Sequence, residues 1–293
     1  MPELPEVEAL ALDLRRRLDG RAITAIHVPQ FAALKTYQPP VSALAGTLVD
    51  DVTRHGKFLD IEASGLHLVL HLARAGWVRW RDEVPLVPPK PSQKSTLAVR
   101  VVLDDLPGIG QSGLDITEAG TKKSLAMYVV QDPLEVPGIA TLGPDPLAAD
   151  FTPEVLRGIL AGQGKKQLKG VLRHQGTVAG IGNAYSDEIL WQARMSPFKP
   201  ADSLTDEDLQ VLYDAIRTML GDAVERSRGL AASELKGEKK SNLAVHNQAG
   251  KPCRRCGATV REVSFADSSL QYCPTCQTGG KPLADRRLSR LLK

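Results

Sequence analysis

The first ordered pattern lies at the N-terminus. Between residues 4 and 19, apolar side chains recur at Val7, Leu10, Ala11, Leu14 and Leu18, the spacing of one helical face. Pro5 sits in the first turn and Gly20 follows as a stop. Residues 22–130 have a shorter period. Alternating or apolar runs at 22–28, 58–61, 66–72, 77–80, 97–103 and 125–130 are separated by Gly, Pro and Asp, which predicts β-strands of a sandwich or barrel. The proline-rich stretch 82–95 is expected to be a loop.

Beyond Leu142-Gly-Pro-Asp-Pro-Leu147 the helical period returns, over 152–161, 166–174 and 183–193. It is clearest over 205–228, where Leu209, Leu212, Ile216, Met219, Leu220 and Val224 share a stripe. Thr205 reads as its N-cap and Asp208, three residues on, as the capping partner. A Gly/Lys/Ser-rich segment, 229–242, then leads to a module that contains every cysteine. There are no internal repeats. The predicted class is a multi-domain α+β protein. An N-terminal helix plus β-sandwich domain spans 1–140, a linker 141–150, a helical domain 151–242, and a small metal module with a basic tail 243–293.

Composition narrows this little. Of 293 residues, 42% are hydrophobic and 24% charged, as in ordinary soluble proteins. No apolar run nears the roughly 18 residues of a membrane span, and no basic stretch followed by an apolar one opens the chain. The expectation is a cytosolic protein, or a nucleoid-bound one in a bacterium, with no membrane partner. Charge adds more. Residues 251–293 carry a net +6, while the remaining 250 carry −3. That asymmetry fits a polyanionic partner or a solvated basic tail.

The cysteines form Cys253-x2-Cys256, sixteen residues, then Cys273-x2-Cys276. This is the spacing of a zinc site. Each C-x2-C turn aims two thiolates at one point, and two such turns close a tetrahedron. With no position left for water, such a Zn2+ is structural, one per chain. Disulfides are the competing reading, disfavoured because the chain reads as intracellular. His246, nearby, reads as an ordinary strand residue.

MPELPEVE begins the chain. Pro5 and Glu6 fit a helix start, but Pro2-Glu3 precede it. Methionine before proline is commonly trimmed, which would expose the Pro2 secondary amine. An α-amine titrates near pH ~8, so part of it is free base at neutral pH. Its condensation with an aldehyde carbon gives a permanently cationic iminium, a strong electron sink. Attack at a deoxyribose C1′ followed by loss of the strand phosphate suits that chemistry. Glu3 is placed to protonate the sugar ring oxygen.

This N-terminus resembles that of the formamidopyrimidine-DNA glycosylase / endonuclease VIII family, in which the exposed proline is the nucleophile and the next glutamate the proton shuttle. Other segments carry the resemblance along nearly the whole chain. Arg54-His-Gly-Lys-Phe-Leu59 is similar to the family's β-hairpin, making Lys57 its phosphate-binding lysine. Residues 142–147 match the interdomain linker. Leu168-Lys-Gly-Val-Leu172 with Ala179-Gly-Ile-Gly-Asn-Ala-Tyr-Ser-Asp-Glu-Ile-Leu190 is similar to the helix-two-turn-helix, and the cysteines to the zinc finger. The resemblance implies a bifunctional glycosylase and abasic-site lyase acting on damaged double-stranded DNA as a monomer. It makes Lys169 and Asn183 the residues that hold the lesion phosphates. Asn183 follows Gly180-Ile-Gly182 and opens a helix, so its side chain and the helix N-terminal amides can face a phosphate. The two glycines alone are not a dinucleotide loop, lacking a third glycine and a preceding strand.

Four departures concern lesion reading. The family's His-Leu-Gly run, followed by an apolar gap-filler, is here His71-Leu-Ala-Arg-Ala75, which puts Arg74 at the wedge. The arginine-rich loop with an aromatic that probes the opposite cytosine is here 117–125, with Lys122 and Lys123 in place of the arginines and no aromatic. The finger arginine before the third cysteine is replaced by a segment with Ser268. The segment 229–245 is shorter than the loop that covers a flipped oxidised guanine. Arg286, Arg287, Arg290 and Lys293 in the tail are candidates to offset the missing arginine, and Leu288, Leu291 and Leu292 beside them to pack. Excision of oxidised purines, excision of oxidised pyrimidines, cleavage of abasic sites alone, and non-catalytic binding to damaged DNA all stay open.

Overall fold

The computed structural model describes residues 1–92, 94–106, 110–265 and 268–284. The tail residues Arg286, Arg287, Leu288, Arg290, Leu291, Leu292 and Lys293 lie outside them. The chain divides into two compact units. One is made of Met1–Thr141 with Ser227–Lys236, the other of Leu142–Arg226 with Gly237–Lys293.

In the first unit, helix α1 (Leu4–Leu18) buries the predicted stripe Val7, Leu10, Leu14 and Leu18. The eight strands that follow form two antiparallel four-stranded sheets. One has the order β1 (Ile23–His27), β6 (Leu97–Leu106), β7 (Gly110–Glu118), β5 (Gly76–Arg81). The other runs β2 (Val49–His55), β3 (Phe58–Ala63), β4 (Leu66–His71), β8 (Ala126–Val130). Leu59, Ile61, Leu68 and Leu70 of the second sheet share one apolar core with Val78, Val101, Leu114 and Ile116 of the first and with α1. This is the expected sandwich with a helix. A short helix, α2 (Pro137–Ala140), ends the unit.

Two strands escaped the sequence pattern, for physical reasons. In β2 the register shifts between Val49 and Asp51, so Val49 and Val52 are both buried despite a spacing of three. A bulge breaks the period of two on which strand recognition rests. Strand β7 buries Ser112, Asp115 and Glu118, which read as turn residues. Asp115 tolerates burial because Arg100 (2.7 and 2.9 Å) and Arg81 (2.8 Å) both bond to it. Against the cost of desolvation, these guanidiniums hold its carboxyl below the usual range.

The second unit is helical. It contains α3 (Pro153–Ala161), α4 (Leu168–Arg173), α5 (Asn183–Gln192) and α6 (Asp206–Ser227). The capping box of α6 forms as read, with the Asp208 N–H donating to Thr205 Oγ1 (3.1 Å) and the Thr205 N–H to Asp208 Oδ2 (3.2 Å). Two turns join α4 to α5. Gln175 stitches them by accepting the Gly180 N–H (3.0 Å) and donating to the Ile181 carbonyl (2.7 Å). Gly180 takes φ +83°, a left-handed conformation that a side chain would strain. A hairpin, β9 (Arg261–Ser264) and β10 (Ser269–Tyr272), and a last helix, α8 (Pro274–Thr278), complete the cysteine module.

The segment 229–242, expected to close the helical domain, is divided between the two units. Residues 227–236 cluster with the first unit rather than with the helical domain expected over 151–242. The Trp77 indole donates to the Ala232 carbonyl (2.8 Å), Leu235 is fully buried, and the Lys236 ammonium lies 4.5 Å from the Trp77 ring centre. From Leu235 to Asn242 the chain is helical (α7). A single apolar residue among lysines gives no stripe to detect, and the helix is held from outside by Arg226–Glu238 (2.8 Å). Among the described residues no helix is long and apolar enough to cross a membrane.

Candidate active site and metal centre

Pro2 is buried, and Glu3 is only 3% exposed. Glu3 is the N-cap of α1. Its N–H donates to Glu6 Oε2 (2.8 Å), and its side chain returns a bond to the Glu6 N–H. The capping box thus fixes the backbone immediately after Pro2. Farther along the first turns, Glu8 pairs with Arg54 of β2 (2.7 Å), and Arg54 also donates to the Gly56 carbonyl (3.2 Å). This ties α1 to the β2–β3 turn that carries Lys57, itself only 6% exposed. Buried carboxylates and a buried lysine in one region are costly and are characteristic of functional sites.

His71 belongs to the same neighbourhood. Its ring lies 4.7 Å from that of Phe58, and burial, reinforced by the Lys57 charge, pushes its pKa down to about 4. At neutral pH it is an uncharged imidazole beside an ammonium. A Cβ on Gly138 would come within 2.6 Å of the Phe58 ring, so a side chain there would push that ring aside.

The lesion-reading candidates are less alike than their spacing implies. Arg74 is exposed at the tip of the β4–β5 turn, which the Gly76 N–H closes on the Leu72 carbonyl (2.8 Å). Ala73, where the family run has glycine, is held at φ +49°. Of the two loop lysines, Lys122 is exposed, whereas the Lys123 ammonium donates to the Glu118 carbonyl (2.5 Å). Glu118 Oε1 also accepts the N–H groups of Ser124 (2.8 Å) and Leu125 (3.0 Å). Lys123 therefore braces the loop.

In the second unit Lys169 is buried, 5% exposed. Its ammonium donates to Asp187 Oδ1 (2.5 Å), Ser186 Oγ (3.0 Å) and the Asn183 carbonyl (3.1 Å). It organises the first turn of α5. Asn183 donates one of its two amide hydrogens to the Ser269 carbonyl (2.9 Å), leaving the other. Its Oδ1 is buried with no partner.

Three further polar residues of this unit carry no sequence signal except acidic residues within a short apolar helix. Asp187 is fully buried between Lys169 and His246, whose Nδ1 lies 2.8 Å from Asp187 Oδ2. Glu188, also fully buried, accepts the N–H groups of Ala244 (2.8 Å), Val245 (2.9 Å) and His246 (2.8 Å). Its burial pushes its pKa up. His246 lies in a turn and is hydrogen-bonded to the Lys169–Asp187 pair, not the ordinary strand residue its sequence position implied.

The cysteines converge. The four Sγ atoms all lie within 4.8 Å of one another, with Cys256–Cys273 at 3.4 Å and Cys253–Cys276 at 4.0 Å. A tetrahedral Zn–S4 site, with Zn–S near 2.3 Å, needs S–S separations of about 3.8 Å, so the four residues fit the ion. Gly257 at φ +75° makes the first knuckle, and Cys273 N-caps α8 at the second. Disulfides, the competing reading, are not formed.

With this geometry the chain matches three family models. Residues 1–115 match the formamidopyrimidine-DNA glycosylase N-terminal domain, 142–234 its H2TH domain, and 250–279 the zinc finger found in that enzyme and in isoleucyl-tRNA synthetase. A formamidopyrimidine-DNA glycosylase of Symbiobacterium thermophilum is 35% identical over 98% of this chain and 93% of its own length. That of Heliobacterium modesticaldum is 35% identical over 94% of this chain and all of its own length. An uncharacterized formamidopyrimidine-DNA glycosylase-like protein of Mycobacterium tuberculosis is 58% identical over 152 residues, 52% of this chain and 94% of that one.

Among solved structures, the Lactococcus lactis enzyme non-covalently bound to DNA containing an AP site superposes with TM-score 0.79 at 26% identity. It covers 94% of this chain and 99% of that one. The same enzyme with Fapy-dG DNA gives 0.81 at 26%, covering 94% of this chain and 100% of that one. Helix, sandwich, helix-two-turn-helix and four-cysteine finger together define a DNA-repair glycosylase. The chain belongs to the formamidopyrimidine-DNA glycosylase family.

Proposed function

We propose that this protein is a bifunctional DNA glycosylase and abasic-site lyase, with the Pro2 amine as nucleophile once Met1 is removed. The observation that carries the reading is the buried Pro2-Glu3 pair, held by a capping box on a helix tied to the hairpin of Lys57. The nitrogen lone pair of Pro2 attacks C1′ of the damaged nucleotide. The C1′–base bond breaks and the base leaves with its electron pair, taking up the proton that the Pro2 nitrogen sheds after attack. Glu3 protonates the ring oxygen as the sugar opens, leaving an iminium. Loss of a C2′ proton then expels the 3′ phosphate by β-elimination. Lys57 grips a lesion phosphate, and the free Asn183 amide hydrogen at the start of α5 grips another. Lys169 acts behind Asn183 rather than at the phosphate. The finger carries one structural Zn2+ on Cys253, Cys256, Cys273 and Cys276, and the partner is damaged double-stranded DNA, bound by a monomer in the cytosol.

Borohydride reduction on abasic DNA tests this directly. The trimmed protein is expected to be trapped covalently and the Met1-retaining form is not. A Met1-retaining protein that is trapped and nicks equally well would sink the mechanism.

Within this reading, cleavage of a preformed abasic site is the leading activity, and excision of 8-oxoguanine opposite cytosine is expected to be slower. The fold-back of Lys123 onto Glu118 favours this, since it leaves Lys122 as the one lysine of that loop extended into solvent. Each lost wedge or base contact costs on the order of 1–3 kcal/mol, so two losses are expected to slow excision by roughly 1.5 to 4 decades. Single-turnover rates on matched duplexes decide it, with equal rates counting against the ordering.

A further inference from the structure

The cysteine centre is not attached to the rest of its unit by packing alone. Trp191, in the last turn of α5, points its indole Nε1 at Cys253 Sγ, 3.3 Å away. The Arg255 guanidinium lies 4.2 Å from the centre of the same ring and donates to the Trp191 carbonyl (2.8 Å) and to Gln192 Oε1 (3.1 Å). The ring packs against Val245, Cys253, Val260 and Cys273. At the opposite end of α5, Asn183 bonds the hairpin at Ser269. The helix that begins at the proposed phosphate-gripping residue is therefore bonded to the cysteine module at both ends.

We propose that Trp191 is a positioning residue for the metal centre, its indole N–H donating to the Cys253 thiolate and so fixing the metal knuckle to the helix of Asn183. Four thiolates around a divalent ion leave a net charge of −2, concentrated on sulfur. An N–H donor and a guanidinium stacked over its ring draw off part of that charge. They also hold Cys253 in one place relative to α5. Phenylalanine keeps an aromatic face under Arg255 but is smaller than indole, so the release rate reads packing and hydrogen bond together, while the electronic state of the Cys253 sulfur reads the hydrogen bond.

The proposal rests on the metal reading above, and the test separates the two. Wild-type and Trp191→Phe proteins are purified with zinc, and release to an excess of chromogenic chelator is followed. Both are expected to hold one zinc per chain. The variant should release it about ten- to a hundredfold faster, the scale of one hydrogen bond to a charged acceptor. In the cobalt-substituted variant the thiolate-to-metal charge-transfer band should move to longer wavelength, because an unbonded sulfur is easier to oxidise. The visible bands of tetrahedral cobalt should stay. A side chain that only fills space would leave the charge-transfer band in place whatever the release rate did, and an unmoved band in a fully loaded variant would overturn the proposal. Should the variant not fold, the wild type loaded with cadmium-113 carries the test. A scalar coupling between the Trp191 indole proton and the metal is expected across the hydrogen bond, and its absence would overturn the proposal. A wild type that takes up no zinc, cobalt or cadmium would refute the metal reading itself, and this proposal with it.

Discussion

The starts of α1 and α5 both bury two carboxylates, and they satisfy them in opposite ways. At α1 the capping box is local, Glu6 answering the Glu3 N–H within one turn. At α5, Asp187 answers Lys169, 18 residues before it, and His246, 59 residues after it. Glu188 takes three N–H groups more than 50 residues downstream. The α1 capping box closes within one turn, beside the residue proposed as the nucleophile. The α5 arrangement joins segments far apart in the chain, so its charges serve the architecture. A substitution at α1 should strike the reaction, and one at α5 the fold.

The largest effect tests the first half of that contrast. Glu3→Gln is expected to slow base excision by about 10²–10⁴-fold, the range for a general acid–base group. Stability should fall by no more than about 1 kcal/mol, the value of a cap, and DNA affinity should be retained. Single-turnover rates, a melt and a binding isotherm are the measurements, and a near-wild-type rate would remove Glu3 from the mechanism. The second half is tested by Glu188→Ala, which strands three buried N–H groups. Urea unfolding is expected to show a loss of about 3–5 kcal/mol; a loss below about 1 kcal/mol would break the contrast.

His71 sharpens it with pH. The unfolded chain protonates this histidine below its ordinary value of 6.5, whereas the folded chain does so only below about 4. Between those values the unfolded state binds more protons, so stability falls as pH is lowered, by up to about 3 kcal/mol. Above pH 6.5 the contribution is constant. The acid-dependent loss should shrink in His71→Gln, read by urea midpoints from pH 7.5 to 4.5. The smallest expected effect is at Ala73. Its left-handed φ is strained, so Ala73→Gly should stabilise by about 0.5–1 kcal/mol and raise the melting temperature by a few degrees.

The same contrast explains what was legible in the sequence. The α1 stripe, the Thr205–Asp208 box and the C-x2-C pairs are all local patterns, and all three formed as read. Strand β2 was hidden by a bulge and β7 by an aspartate that only a pairing with Arg100 and Arg81 makes buriable. Asp187, Glu188, His246 and Trp191 were hidden because their partners lie tens of residues away. Lys169 and Lys123 show the limit of a motif. A lysine at the expected position says nothing of whether its ammonium faces solvent or is used inside the protein.

The path of residues 227–236 limits how the chain can be divided. Because this strap leaves α6, inserts Leu235 into the sandwich core and caps Trp77 before the chain returns, no single cut yields two self-sufficient halves. A fragment starting at residue 142 would carry Leu230 and Leu235 with no core to receive them. A fragment ending at 141 would leave the Trp77 indole without its acceptor and the core open where Leu235 had been. Expressed separately, both halves should be sticky and poorly soluble. A sandwich fragment with 227–236 grafted on through a short linker should behave better than one without it.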